Sequence, residues 1–355
     1  MQQKETSPRL APLIDRLSGR RILVIGDMVA DVYIDGRISR ISREAPVLVL
    51  EQAGEKIIAG GAANVVHNCA TLGGSVTAVG LVGDDRQADG ISSVLENAGV
   101  DTSGLLRDAE RPTISKTRII AGGRATVSQQ IVRLDRESHA PMSRATEAAM
   151  LRYLDGVLPE TDGIVLSDYG SGTITEAVKG KLIGYAREHD IPSIVDSRYG
   201  IHRFSGIGYV KQNDAELAAA VGRKLPDAPA IYAAGRELLE ELGADGVLVT
   251  RGELGMVLVE KDGSVSDIPV TDKSEVYDVS GAGDTCVATV ILALAAGIAP
   301  ESAARLSNYA SGIAVRKLGT ATVSAEELNP NRLAPQVSFF APPAQERLRR
   351  KHSRK

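Results

Sequence analysis

The chain of 355 residues is long enough for one large α/β domain or two smaller ones, well above the size at which a hydrophobic core becomes marginal. Its 41 basic residues stand against 45 acidic ones, a net charge of −4, and aromatics make up 3% with no tryptophan. This excludes a general nucleic-acid binder, which needs a basic, base-stacking face.

In chain order, residues 1–18 carry few packing side chains and are expected to form a flexible N-terminal segment. Their polar start does not resemble a secretory signal. No apolar run reaches the ~18 residues of a membrane helix, so a cytoplasmic chain without a membrane partner is expected. Arg21-Ile22-Leu23-Val24-Ile25-Gly26-Asp27 is a basic residue, an apolar run and then Gly-Asp, the pattern of a first buried parallel strand. Comparable runs follow at 76–82, 163–166, 193–195, 208–210 and 246–249. Helical stretches at 64–72, 90–98, 145–158, 174–188, 214–221 and 230–242 separate most of them. This alternation predicts an α/β fold, a mostly parallel central sheet covered by helices on both faces. Asp27, Asp168, Asp196, Asn213 and Thr250 recur at the strands' C-terminal ends, the edge where open α/β sheets bind ligands. Each taken alone is an ordinary helix cap. Two stretches break the rhythm, 32–51 and 113–134. Both read as β-ribbons and are expected to form a small lid, or else an edge extension or an oligomer contact. Cys69 and Cys286 are too far apart for a CxxC pair and read as reduced, buried thiols. Beyond 330 the chain is Pro-rich and then basic, the pattern of a solvated tail.

Two motifs carry chemistry. In Asp278-Val279-Ser280-Gly281-Ala282-Gly283-Asp284-Thr285, small residues open an apolar helix, so the amides of Gly281, Ala282 and Gly283 form an anion site. Asp284 alone is a common first-turn acid, but beside an anion site it can deprotonate an attacking hydroxyl. In Gly60-Gly61-Ala62-Ala63-Asn64, glycines again open a helix, either for a small polar ligand or as a packing turn. No GxGxxG follows a strand, and GxxxxGK[ST], GxSxG and HExxH are all absent from the sequence.

Gly60-Gly61-Ala62-Ala63-Asn64 and Asp278 to Thr285, about 220 residues apart, resemble the two signatures of the ribokinase-like (PfkB) carbohydrate kinases, and the likeness spans about 20–325. Arg40-Ile41-Ser42-Arg43-Glu44-Ala45-Pro46-Val47, Gln129-Gln130-Ile131-Val132-Arg133-Leu134-Asp135 and Leu166-Ser167-Asp168-Tyr169-Gly170 are similar to the D-glycero-β-D-manno-heptose-7-phosphate kinases of lipopolysaccharide precursor synthesis. The resemblance implies a ribokinase-like three-layer αβα domain over 19–330, lid segments at about 31–58 and 113–135, and a tail at 331–355. It implies ATP-dependent phosphorylation of the C1 hydroxyl of the heptose 7-phosphate. The alternatives are another sugar or sugar phosphate, or a non-catalytic sensor on the same fold.

The HxGH of a fused nucleotidyltransferase is absent, so the stand-alone kinase is expected. In the implied site Asp284 is the base, and the amides of Gly281, Ala282 and Gly283 form the anion hole. Asn213 and Glu216 hold Mg²⁺ through water. Thr250, Gly252, Gly255 and Asn308 bind the nucleotide. Asp27, Asp31, Gly60, Gly61 and Asn64 bind the sugar, and Lys116, Arg118 and Arg133, with Arg43 as a further candidate, bind its phosphate. A monovalent cation and a homodimer through the lids are also implied. Asp196-Ser197-Arg198 stands where relatives are expected to have Asp-Pro-Lys, and Ser171 where a lysine is expected, which bears on the substrate more than on the reaction.

Overall fold

A computed structural model describes residues 12–122, 128–138, 140–270 and 276–329. After a short 3-10 turn (Asp15–Leu17) come β1 (Arg21–Gly26), β2 (Met28–Ile41), β3 (Leu48–Gly61), α1 (Ala62–Thr71), β4 (Ser75–Val82), α2 (Arg86–Asn97) and β5 (Asp101–Arg107). It continues through β6 (Ile114–Gly122), β7 (Gln129–Arg136), α3 (Arg144–Val157), β8 (Gly163–Asp168), α4 (Glu176–Glu188), β9 (Ser193–Ser197), β10 (Tyr209–Asn213), α5 (Asp214–Ala220) and α6 (Ala228–Leu242). It closes with β11 (Gly246–Thr250), β12 (Met256–Glu260), β13 (Val265–Ile268), α7 (Ala282–Ala295), α8 (Pro300–Ala314) and α9 (Ala325–Leu328).

The large sheet has nine strands in the order β13-β12-β11-β10-β9-β8-β1-β4-β5. Neighbours from β11 to β5 pair in parallel, and β12 runs antiparallel to both of its neighbours. Side chains of β1 alternate between the layers. Ile22 and Val24 join the core under α1, α2, α7 and α8, while Leu23 and Ile25 join the core under α3, α4 and α6. The chain winds outward from β1 to β4 and β5, then crosses back to β8 and winds the other way. That reversal opens a crevice at the C-terminal ends of β1 and β8.

The ribbons form a second, four-stranded sheet, β3-β2-β6-β7, in which β2 and β6 pair in parallel. β2 and β3 are longer than the apolar runs in 32–51 and reach down to the large sheet. The sequence reading missed β5, β12 and β13, and took residues 12–18 for part of a flexible segment. Instead Ile14 and Leu17 are buried in the core, and the Arg16 guanidinium donates to the Ala296 carbonyl at 2.6 Å. Residues 1–11 and the tail from 330 lie outside the described residues.

Candidate active site

Helix N-termini separate into two kinds. The starts of α2, α3, α4, α5 and α6 are closed by Asp85, Ser143, Thr175, Asn213 and Asp227, each accepting from a backbone amide of the first turn. α1, α7 and α8 start at Gly61, Gly281 and Ala299 with no side-chain cap, and of these only α8 carries a proline in its first turn. An uncapped N-terminus leaves amide donors and the positive end of the helix dipole unmatched.

The α7 glycines make room for the protein's own side chains. Gly281 has φ +80°, and a Cβ there would lie 2.8 Å from Asn64 Nδ2. A Cβ on Gly283 would lie 2.9 Å from Lys211 Nζ. This close approach brings Asn64, from α1, and Lys211, from β10, to the same turn as Asp284.

Asp284 is 7% exposed. Asn64 Nδ2 donates to one carboxylate oxygen at 2.7 Å and the Tyr169 hydroxyl donates to the other at 3.2 Å. Asn64 is oriented in turn by Asn68, whose amide donates to Asn64 Oδ1 at 3.1 Å. Burial pushes the Asp284 carboxyl up to about 6, with Asp196 adding to the rise while Asn64, Lys211 and Tyr169 oppose it. The group is therefore mostly ionised at neutral pH yet close enough to it to accept a proton. Two donors use only part of a carboxylate's acceptor capacity, so a substrate hydroxyl can add a third contact.

Lys211 is paired with Asp196 at 2.9 Å, and both side chains are largely buried. Burial pulls the ammonium's proton affinity down, but Asp196 and Glu216 raise it further, so Lys211 stays charged beside the α7 turn. Next to it, Asn213 and Glu216 form a reciprocal capping box: Asn213 Oδ1 accepts from the Glu216 amide at 2.7 Å, and Glu216 Oε2 accepts from the Asn213 amide at 2.8 Å. Among the described residues no group of three His, Cys, Asp or Glu could hold a metal ion directly. A half-buried carboxylate with one oxygen outside that box suits a hydrated hard cation shared with substrate phosphates.

Asp31 reaches the same region from β2. Arg118 donates to one of its oxygens at 2.7 Å and Thr320 to the other at 2.8 Å. The Thr320 methyl lies 3.4 Å from where a Gly281 Cβ would stand, so Asp31, Thr320 and the α7 turn are contiguous. A Cβ on Gly60 would lie 2.7 Å from Asp31 Oδ2, and one on Gly61 would lie 2.7 Å from Val29 Cγ2. These two glycines admit the protein's own side chains, the packing-turn reading of the motif.

Asp27 corrects the sequence reading. It is fully buried and accepts from the amides of Tyr169 at 2.9 Å, Ser171 at 3.0 Å and Thr173 at 3.3 Å. It holds the turn that carries Tyr169 and has no surface for a sugar hydroxyl. Arg133 lies on edge strand β7, forked onto Asp135 at 2.8 and 2.9 Å. Arg43 is exposed in the β2–β3 connection. Asn308 donates to the Pro269 carbonyl at 2.7 Å, and a Cβ on Gly255 would lie 2.1 Å from the Ile268 carbonyl oxygen, so both secure the segment after β13. Thr250 ends β11 half-buried, and Gly252 has φ +54° with open space where a side chain would be. Sequence reasoning missed Tyr169, Lys211 and Thr320 as site residues. A lysine inside a strand and a tyrosine after Asp carry no signal until the strands are aligned.

The 20–328 segment matches the model of the pfkB family carbohydrate kinases. The chain belongs to that family. It is 40% identical over 318 residues to the bifunctional protein HldE of Granulibacter bethesdensis, covering 88% of this chain, and spans 64% of that relative's length. It is 42% identical over 332 residues to the HldE of Azorhizobium caulinodans, covering 91% of this chain and 66% of the relative. Escherichia coli phosphofructokinase-2 in complex with potassium shares the fold at a TM-score of 0.67 and 21% identity, over 88% of this chain and 97% of the other. Arabidopsis thaliana ribokinase complexed with ribose and ATP does so at 0.67 and 18%, again over 88% and 97%. The family acts on sugars as phosphotransferases and works with ATP and a divalent metal ion, so the fold and the family of the sequence reading stand. No helix of the described residues is long and apolar enough to cross a membrane.

Proposed function

We propose that this chain transfers the terminal phosphoryl group of ATP to the C1 hydroxyl of D-glycero-β-D-manno-heptose 7-phosphate, giving the 1,7-bisphosphate. The observation that carries the reaction type is Asp284, held by Asn64 and Tyr169 at the uncapped start of α7. The heptose phosphate rests on the segments that resemble heptose-phosphate kinases and on the HldE relatives.

In this reading the sugar hydroxyl lies against Asp284, with Asn64 and Asp31 orienting neighbouring hydroxyls. As the new O–P bond forms, the hydroxyl proton passes to the Asp284 carboxylate and the bond from the terminal phosphorus to the bridging oxygen of ADP breaks. The amides of Gly281, Ala282 and Gly283, with the Lys211 ammonium, meet the charge of the moving phosphoryl group, the Ala282 amide exchanging its 3.3 Å bond to the Val279 carbonyl for a phosphoryl oxygen. Thr250 and Gly252 leave room for the nucleotide. Magnesium, held through water by Glu216 and Asn213, would neutralise charge on the nucleotide phosphates.

A homodimer belongs to the same proposal. Ile41, Val47 and Leu48 at the tip of the small sheet and Val132 and Leu134 on β7 are large apolar side chains left exposed. Unpaired sheet edges with such side chains invite pairing with a second copy. Light scattering at micromolar concentration should give twice the chain mass, and a monomer would remove this part.

The test of the substrate is ADP release with ATP and Mg²⁺ across the heptose 7-phosphate, sedoheptulose 7-phosphate, fructose 6-phosphate, ribose and adenosine. Turnover confined to the heptose phosphate is the expected result. Turnover with another member alone would overturn the sugar and keep the kinase.

A further inference from the structure

We infer that Lys116 and Arg198 together hold the phosphate of the sugar substrate, one from each sheet, across the ring of Tyr169. This deepens the proposed function and rests on it.

Most basic side chains near the site are already engaged. Arg118 is taken by Asp31, Arg133 by Asp135 and Lys211 by Asp196. Lys116 and Arg198 are different. Neither side chain has an ion pair or a hydrogen-bond acceptor among the described residues, and each stands over the same aromatic ring. The Lys116 ammonium is 5.9 Å from the Tyr169 centroid and the Arg198 guanidinium carbon is 5.6 Å from it. Lys116 comes from β6 in the small sheet, and Arg198 from the turn after β9, where its amide donates to the Asp168 carbonyl at 3.1 Å.

The ring itself is fixed at both ends. Its backbone amide is bonded to Asp27 and its hydroxyl to Asp284. Two cations without an ion-pair partner thus stand over one ring, and an anion that reaches both would be favoured. A phosphate monoester, with up to two charges and three terminal oxygens, can accept from a lysine ammonium and an arginine fork at once. The position also assigns which phosphate. In the proposed function the terminal phosphate of ATP is met by the α7 amides and Lys211. Tyr169 bonds Asp284 through its hydroxyl while Lys116 and Arg198 stand over its ring, so the clamp we infer takes the phosphate at the end of the sugar remote from the reacting hydroxyl. Lys116 and Arg198 then read the presence of that phosphate while Asp284 acts at the other end.

The test compares kcat/KM of the full chain for the heptose 7-phosphate and for the same heptose without phosphate, at saturating ATP. Wild type should prefer the phosphorylated sugar. In Lys116→Met and in Arg198→Met that preference should fall by roughly tenfold to a hundredfold, the worth of a charge-assisted contact, through a rise in KM for the phosphorylated sugar. Lys116→Arg and Arg198→Lys should restore much of it. The ratio between two sugars does not depend on the fraction of active enzyme, so misfolding cannot imitate the result. Variants that keep the wild-type preference, or that lose activity on both sugars alike, would overturn the clamp and leave the heptose phosphate as substrate. A wild type with no preference would overturn the phosphorylated substrate, and the clamp with it.

Discussion

Asp27 and Asp284 are buried carboxylates at the same edge of the large sheet, and the chain uses them in opposite ways. Asp27 follows β1 and is surrounded by backbone amides of the 169–173 turn, which cannot leave without unfolding that turn. Asp284 opens α7 and is bonded by two side chains, Asn64 and Tyr169, with acceptor capacity to spare. The first carboxylate is a structural tie and the second is a poised base. Burial alone does not distinguish them. What does is whether the donors belong to backbone or to side chains, and whether the last acceptor positions face a space that a substrate can enter.

The largest expected effect separates these roles. Asp284→Asn should lower turnover by about 10²–10⁴, the usual contribution of a general base, while ATP binding followed by calorimetry persists. The same change should not weaken the fold. The Asp284 carboxyl is raised from 3.8 to about 6 in the folded chain, so the folded state binds its proton more tightly than the unfolded state does. Stability from this group is therefore fully present below the unfolded value and is lost as pH rises through about 6. Removing the charge should raise stability at pH 8 by about 1–3 kcal/mol in urea unfolding.

Asp27→Ala should do the reverse. It strands buried amides of the 169–173 turn and should cost about 2–4 kcal/mol of stability, read by the same urea titration. An Asp27→Ala chain as stable as wild type would remove the distinction.

Gly281→Ala tests the turn itself. A side chain at φ +80° is strained and would press on Asn64, so a loss of about 1–2 kcal/mol, with lower turnover, is expected from thermal unfolding and ADP release. The smallest effect is that of Tyr169→Phe. Losing one donor to the carboxylate favours its protonated form, so the acid limb of the pH profile of kcat should move upward from about 6 by about one pH unit.

Much of the main sheet was legible because its strands are buried on both faces and read as unbroken apolar runs, such as Ile22 to Ile25. β5, with Asp101, Thr102, Ser103 and Gly104, and the short β13 have no such run, and only pairing with a neighbour defines them. The small sheet was visible as ribbons, but its parallel β2–β6 pairing joins segments that no local pattern connects. Within the site, the sequence marks Asp284 and Asn64 through their glycine turns. It does not show that they touch, because they are 220 residues apart. Asp27 looked like Asp284 in sequence, a carboxylate after a strand or glycine, and only the direction of the 169–173 amides separates the two. Lys211 and Tyr169 enter the site by the pleat of β10 and the path of one turn, neither of which composition records.

The pH dependence of phosphoryl transfer, measured for the wild type and Asp284→Asn with ATP and the heptose 7-phosphate saturating, tests the central claim most directly. The account predicts a wild-type rate that falls tenfold per unit below about pH 6 and a variant with a small residual rate that lacks this limb. A variant within tenfold of the wild type, or one that keeps the same acid limb, would contradict Asp284 as the base.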